Sequence, residues 1–152
     1  MFFRKKEQGI SQSIKEKLDE LAEKGNVLYE KGENNKALQV WTEALNLIPE
    51  PRNTYSESVW FLTSIGDVYF CQGEYKTAYD YLYEAKSNLS GQGYNNPFIM
   101  LRLGESALEI KDEKNAIEYM LRAYMLAGKE IFDDEDEKYF LFLKMNTNLE
   151  NI

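Results

Sequence analysis

The sequence predicts an all-α protein assembled as a stack of helix hairpins, and three observations carry that prediction. A glycine recurs at Gly25, Gly66 and Gly104; twelve residues after each stands an alanine (Ala37, Ala78, Ala116), and nineteen after each another (Ala44, Ala85, Ala123). Sixteen residues after each glycine comes a large side chain: Trp41, Leu82, Met120. The apolar residues around these positions follow a helical period, as in Ile14, Leu18, Leu21 and Leu28, then Ala37, Val40, Trp41, Ala44, Leu45 and Ile48. Three copies of one spacing mark an internal repeat.

Each element follows from local chemistry. Ser13-Ile14-Lys15-Glu16 has the spacing of a capping box ahead of the first helix. Turn residues separate the two helices of every unit, at Lys31-Gly32-Glu33-Asn34, Gln72-Gly73-Glu74 and Lys111-Asp112-Glu113. The small residue of the first helix lets the second come close, and the paired alanines receive it. The large residue between the alanines is expected to fill the gap between neighbouring units. Two insertions, at 52–58 and 93–96, end in helix-start signals: Thr54-Tyr55-Ser56-Glu57 has capping-box spacing, and Asn96-Pro97 sets a cap before a first-turn proline. They are expected as loops on one edge of the stack, where binding loops often sit. The acidic run Asp133-Asp134-Glu135-Asp136-Glu137 belongs at a helix N-terminus, and the apolar residues after it predict a capping helix over 133–146.

Read with these features, the chain resembles the tetratricopeptide repeat (TPR) family, whose pattern is a 34-residue helix–turn–helix. The units are then 18–51, 59–92 and 97–130, within a single domain at 10–146 flanked by tails at 1–9 and 147–152. The first unit keeps Gly25, Ala37, Trp41, Ala44 and Pro49. The second keeps Gly66, Tyr69, Ala78 and Ala85 but carries Ser90 where proline is common, and in the third Ala107 replaces the usual tyrosine. The resemblance implies a right-handed α-solenoid of three hairpins plus the capping helix. The run from Asn96-Pro97-Phe98-Ile99 through Arg122-Ala123-Tyr124-Met125 to Tyr139-Phe140 is also similar to small bacterial TPR proteins that accompany toxins.

The composition excludes several function classes. The 152 residues carry a formal charge of −8, from 26 acidic and 18 basic side chains. That balance repels a phosphate backbone, so a basic protein or peptide is the expected partner and nucleic acid is not. Histidine is absent, which removes Ser–His–Asp and Cys–His nucleophile systems and His-ligated zinc. The one cysteine, Cys71, has no partner for an internal disulfide and is expected as a small, at least half-buried side chain. Residues 1–9 lack the apolar run of a secretory signal, and no stretch is long enough to span a bilayer, so a cytoplasmic protein with no membrane role is expected. Gly91-Gln92-Gly93 lacks the Lys-Ser or Lys-Thr of a phosphate loop, and the acidic run lacks the glycine and alternation of an EF-hand. Neither catalysis nor a cofactor is expected.

In TPR proteins the first helix of each unit lines a concave groove. On that resemblance the groove residues are Asp19, Ala22, Glu23, Asn26, Tyr29 and Glu30; then Trp60, Thr63, Ser64, Asp67, Phe70 and Cys71; then Phe98, Leu101, Arg102, Glu105, Leu108 and Glu109. The partner-binding set expected among them is Asn26, Tyr29, Glu30, Trp60, Asp67, Phe70, Phe98, Arg102, Glu105 and Glu109. Such a face is aromatic at its middle and acidic around it, which suits a basic partner. The competing expectation is that Trp60, Phe70 and Phe98 serve packing. One TPR subgroup grips a chaperone's C-terminal carboxylate with lysines, arginines and asparagines; here only Asn26 and Arg102 could serve, which disfavours that mode. The functions expected are neutralisation of a toxin by a bacterial immunity protein or, alternatively, a chaperone or adaptor holding a peptide in the groove. The oligomeric state expected is monomer or weak dimer, the dimer joined through the C-terminal helix.

Overall fold

The computed structural model describes residues 9–151, and most of the expected N-terminal tail lies outside them. Among the described residues there are seven α-helices and no strand. They run α1 (Gln12–Glu30), α2 (Asn34–Leu47), α3 (Ser56–Cys71), α4 (Tyr75–Gly91), α5 (Pro97–Glu109), α6 (Glu113–Ala127) and α7 (Glu137–Asn146). Three antiparallel hairpins, α1–α2, α3–α4 and α5–α6, stack in chain order, with α2 against α3, α4 against α5, and α7 after α6. Helices α3 and α5 also touch directly, so the first helices form one continuous face. The fold is an all-α solenoid of helix hairpins.

The hairpin spacing is explained by contacts inside each unit. All six repeat alanines have no exposed surface. A Cβ on Gly25 would come within 2.1 Å of the Trp41 indole, one on Gly66 within 2.7 Å of Leu82, and one on Gly104 within 2.4 Å of Met120. The large residue therefore seats on the glycine of its own hairpin, rather than chiefly filling the gap between units. Trp41 does both, since its ring also meets Trp60 of the next unit edge-on at 5.7 Å. Full burial of Leu62, Ile65, Leu82, Met100, Leu103 and Met120 contributes on the order of 1.5–3 kcal/mol each.

All three hairpin turns close the same way. The amides of Gly32 and Glu33 donate to Tyr29 and Leu28, those of Gly73 and Glu74 to Phe70 and Tyr69, and those of Lys111 and Asp112 to Leu108 and Ala107. This pattern needs one residue in the left-handed region. Gly32 and Gly73 supply it freely, while Lys111 adopts φ 71° with a Cβ in place.

Helix starts match the sequence signals in two cases of four, at Asn96 and in the acidic run, where Asp136 caps α7. Asn96 Oδ1 accepts from the amides of Phe98 and Ile99, as its position before Pro97 predicts. The first helix is capped by Ser11, whose hydroxyl accepts from the Ile14 amide, so Ser13 is not the cap. Tyr55 stands at the start of α3 with no side-chain cap, and the Thr54 hydroxyl instead donates to the Pro51 carbonyl. The insertions are not plain loops: Arg52–Thr54 and Gln92–Asn95 form 3-10 turns, residues 56–58 open α3, and each insertion is pinned to the hairpins. Arg52 clasps Glu84 through Nε and Nη2, the buried Asn88 donates to Ser58, Ser58 donates to the Tyr55 carbonyl, and Arg122 donates to the Tyr94 carbonyl.

Candidate interaction face on the first helices

Along the first-helix face the structure gathers Asp67, Phe70, Phe98, Arg102 and Glu105 into one cluster. Helices α3 and α5 lie side by side, so Asp67 and Arg102 meet although 35 residues apart. Arg102 donates to Asp67 at 2.6 Å and to Glu105 at 2.8 Å, and pairs as well with Glu135, just ahead of α7. Its guanidinium stands 4.6 Å from the Phe70 ring and 5.0 Å from the Phe98 ring, so two aromatic faces flank the cation. Burial works against this cation, but the bond and charge of Asp67, with Glu105 and Glu135, outweigh it and hold Arg102 protonated well above its ordinary range.

Glu105 corrects the expected acidic rim. The side chain has no exposed surface, and its Oε2 atom has no hydrogen-bond partner. Burial, reinforced by the charge of Glu135 and opposed by Arg102, pushes its carboxyl up to about 9. Glu105 is therefore an interior acid whose environment favours the protonated form, unable to meet a partner as a surface carboxylate. Leu101 is buried as well. Glu109 receives Lys138 at 2.8 Å and the Tyr139 hydroxyl. Burial alone would raise its pKa, but these two partners hold Glu109 below the ordinary carboxylate range.

The face thus divides. Its C-terminal half, from Asp67 to Glu109, is occupied by internal pairs and by residues flanking and within α7: Glu135 on Arg102, Tyr139 against Phe70 at 6.3 Å and hydrogen-bonded to Glu109. Its N-terminal half stays open. Trp60 is 42% exposed and rests edge-on against Trp41 and Phe61, so it both packs and faces outward. Beside it Leu18, Asp19, Ala22, Glu57 and Phe61 line a cleft of about 280 Å³. Tyr29 is half-buried, with its hydroxyl 4.0 Å from the Cys71 sulfur; Asn26 is half-buried and Glu30 exposed. Among the described residues no hydrogen bond or ion pair joins Asn26 or Glu30 to the Arg102 cluster.

Cys71 is an exposed residue, against the expectation of burial. Burial of the thiol itself, with the charge of Asp67, raises its pKa, so it is a poor nucleophile. Among the described residues no group of three His, Cys, Asp or Glu side chains is placed to hold a metal ion, and no helix is long and apolar enough to cross a membrane. The sequence reading missed Glu135, Lys138 and Tyr139. The acidic run signalled a helix start, and Asp136 does cap the Lys138 amide. No spacing rule points a residue 33 positions away at Arg102.

Comparison with solved structures places this geometry in a known architecture. The chain is similar to the N-terminal domain of stress-induced protein-1 (STI-1) from C. elegans, with a TM-score of 0.65 over 89% of this chain and 98% of that one, at 17% identity. The fold is TPR-like. At that identity the likeness speaks for the architecture alone. No protein-family model and no curated protein matches the chain.

Proposed function

We propose that this chain is a non-catalytic protein-binding module that takes a basic partner on the N-terminal half of its first-helix face. The observation that carries the reading is Trp60, a large aromatic left substantially exposed beside an apolar cleft and between carboxylates. Asp19, Glu23, Glu30 and Glu57 make no ion pair among the described residues, so their charge is free to steer a basic ligand. A tryptophan in such a position is the kind of anchor whose truncation costs about 2 kcal/mol or more of binding. The TPR-like architecture supports the reading because it sets side chains from successive first helices along one continuous face. The compartment proposed is the cytoplasm.

The narrower form of the proposal is a bacterial immunity protein that neutralises a basic toxin domain. A small, acidic, histidine-free chain suits that role through charge complementarity. Co-expression with the product of the neighbouring gene checks it: growth should be restored, and toxicity that persists at full expression refutes the immunity role. The second reading, a chaperone or adaptor for a peptide, is favoured by the cleft under Trp60, which has the scale of one or two inserted side chains. The ligand's form separates them, since a short unstructured segment binds alone in the second case and only a folded domain binds in the first. For the shared claim, the partner recovered from the native host should be lost on Trp60→Ala with helicity unchanged. Retention of that partner would place binding on another surface.

A further inference from the structure

The repeat sets two aromatic residues at one position of the first-helix face. Trp60 stands six residues before Gly66, and Phe98 six before Gly104. In the third unit Arg102 follows Phe98 by about one helical turn. Its guanidinium lies 5.0 Å from the Phe98 ring, and its Nε donates to Asp67 at 2.6 Å. This face therefore already receives one guanidinium between aromatic rings and carboxylates, supplied by the chain itself. The second unit has Ser64 where the third has Arg102, so α3 brings no such cation to Trp60. Among the described residues no lysine or arginine stands over the Trp60 ring.

The surroundings of Trp60 are of the same chemical kind. Its ring meets Trp41 edge-on at 5.7 Å and Phe61 at 5.1 Å, contacts that fix it in place before a ligand arrives. In the cleft beside it, of about 280 Å³, Leu18, Ala22 and Phe61 form the apolar lining and Asp19 and Glu57 are the two acids. Asp19 belongs to α1 and Glu57 to the first turn of α3, so the acids come from two helices. Among the described residues neither acid is ion-paired, and the Ser56 hydroxyl donates to Glu57 at 3.5 Å. A long side chain with an apolar stem and a cationic end matches this lining. Arginine matches it better than lysine, because a planar guanidinium stacks on an indole and directs donors toward two carboxylates at once.

We propose that the cleft beside Trp60 receives a single arginine side chain of the partner protein. The guanidinium lies on the Trp60 ring and pairs with Asp19 and Glu57, and the methylenes pack against Leu18, Ala22 and Phe61. The inference deepens the proposed function and rests on it, since it takes this face to bind a basic partner; it adds which side chain of that partner is read.

The blocked tripeptide acetyl-Gly-Arg-Gly-amide is the probe, titrated into the full-length chain and followed by the indole N–H resonances of Trp41 and Trp60. The Trp60 resonance should move with the arginine peptide. The citrulline analogue, with the same shape and no charge, and the lysine analogue should each bind at least about five-fold more weakly. In a chain carrying Asp19→Asn with Glu57→Gln the advantage over citrulline should disappear. Equal binding of the arginine and citrulline peptides, lysine binding as tight as arginine, or a Trp60 resonance that stays in place overturns the proposal. If the double variant fails to fold, the three peptides on the wild-type chain decide alone. The two readings fail separately. A host partner retained by Trp60→Ala refutes the proposed partner face, and the peptide titration still decides the arginine site. A partner lost with Trp60→Ala but fully retained by the double variant leaves that face standing and overturns the arginine site.

Discussion

At the residue scale the chain is governed by a few side chains whose environment inverts their usual chemistry. Glu105 is a carboxyl with no exposed surface, whose protonated form is favoured by burial and by Glu135 and opposed by Arg102 beside it. Its folded pKa of about 9 lies above the ordinary 4.5, so the folded state keeps a proton that the unfolded chain releases. The stability this proton contributes is complete below the ordinary value and is lost as pH rises through the folded one. Thermal melts should therefore show stability falling from about pH 5 to pH 9, and Glu105→Gln should flatten that slope and raise stability at pH 8 by roughly 1–3 kcal/mol. A variant whose slope matches wild type would show that the titrating group lies elsewhere. Lys111 is a simpler case. It holds φ 71° in the turn where the other two units have glycine, so Lys111→Gly should stabilise by about 1 kcal/mol in a denaturant titration. Its left-handed conformation follows from the repeat alignment, which sets Lys111 level with Gly32 and Gly73. Nothing in the sequence revealed the burial of Glu105, which depends on where α7 lands.

At the element scale the glycine–large residue pairs set how closely each hairpin closes. A methyl on Gly104 meets the Met120 backbone amide at 2.8 Å, where no rotamer change gives relief, and on Gly25 it meets the Trp41 indole. Both alanine substitutions should destabilise, by about 1–3 kcal/mol each. Trp41→Leu should couple with Gly25→Ala, because a smaller ring vacates the space the new methyl needs. In a double-mutant cycle the pair should cost less than the sum of the singles, and strict additivity would mean the contact does not set the spacing. Asn96→Ala should cost about 1 kcal/mol through the loss of two capped amides of α5. Helix number, hairpin order and the Asn96 cap were legible because each rests on residues within one turn or one hairpin. The starts of α1 and α3 were not, since Ser11 competed with Ser13 for the same role and Thr54 turned back to Pro51.

At the scale of the whole molecule, charge and shape together divide the first-helix face into an occupied half and an open one. Arg102, the basic residue at its centre, is surrounded by Asp67, Glu105 and Glu135, so the carboxylates left to steer the proposed basic partner lie at the N-terminal end. Capture of that partner should weaken with added salt and fall further with Glu57→Gln, whereas Glu109→Gln, already paired with Lys138, should matter little. Binding that ignores salt would remove the electrostatic part of the proposal. By itself the sequence determined the repeat, because hairpin packing is local physics: small residues where helices touch, large ones seated on them, turn residues between. Only the tertiary structure decided which groove residues remain free, because that depends on α7 and the acidic run before it meeting α3 and α5. Contacts across thirty or more residues are fixed by the path of the folded chain, and no periodicity records them.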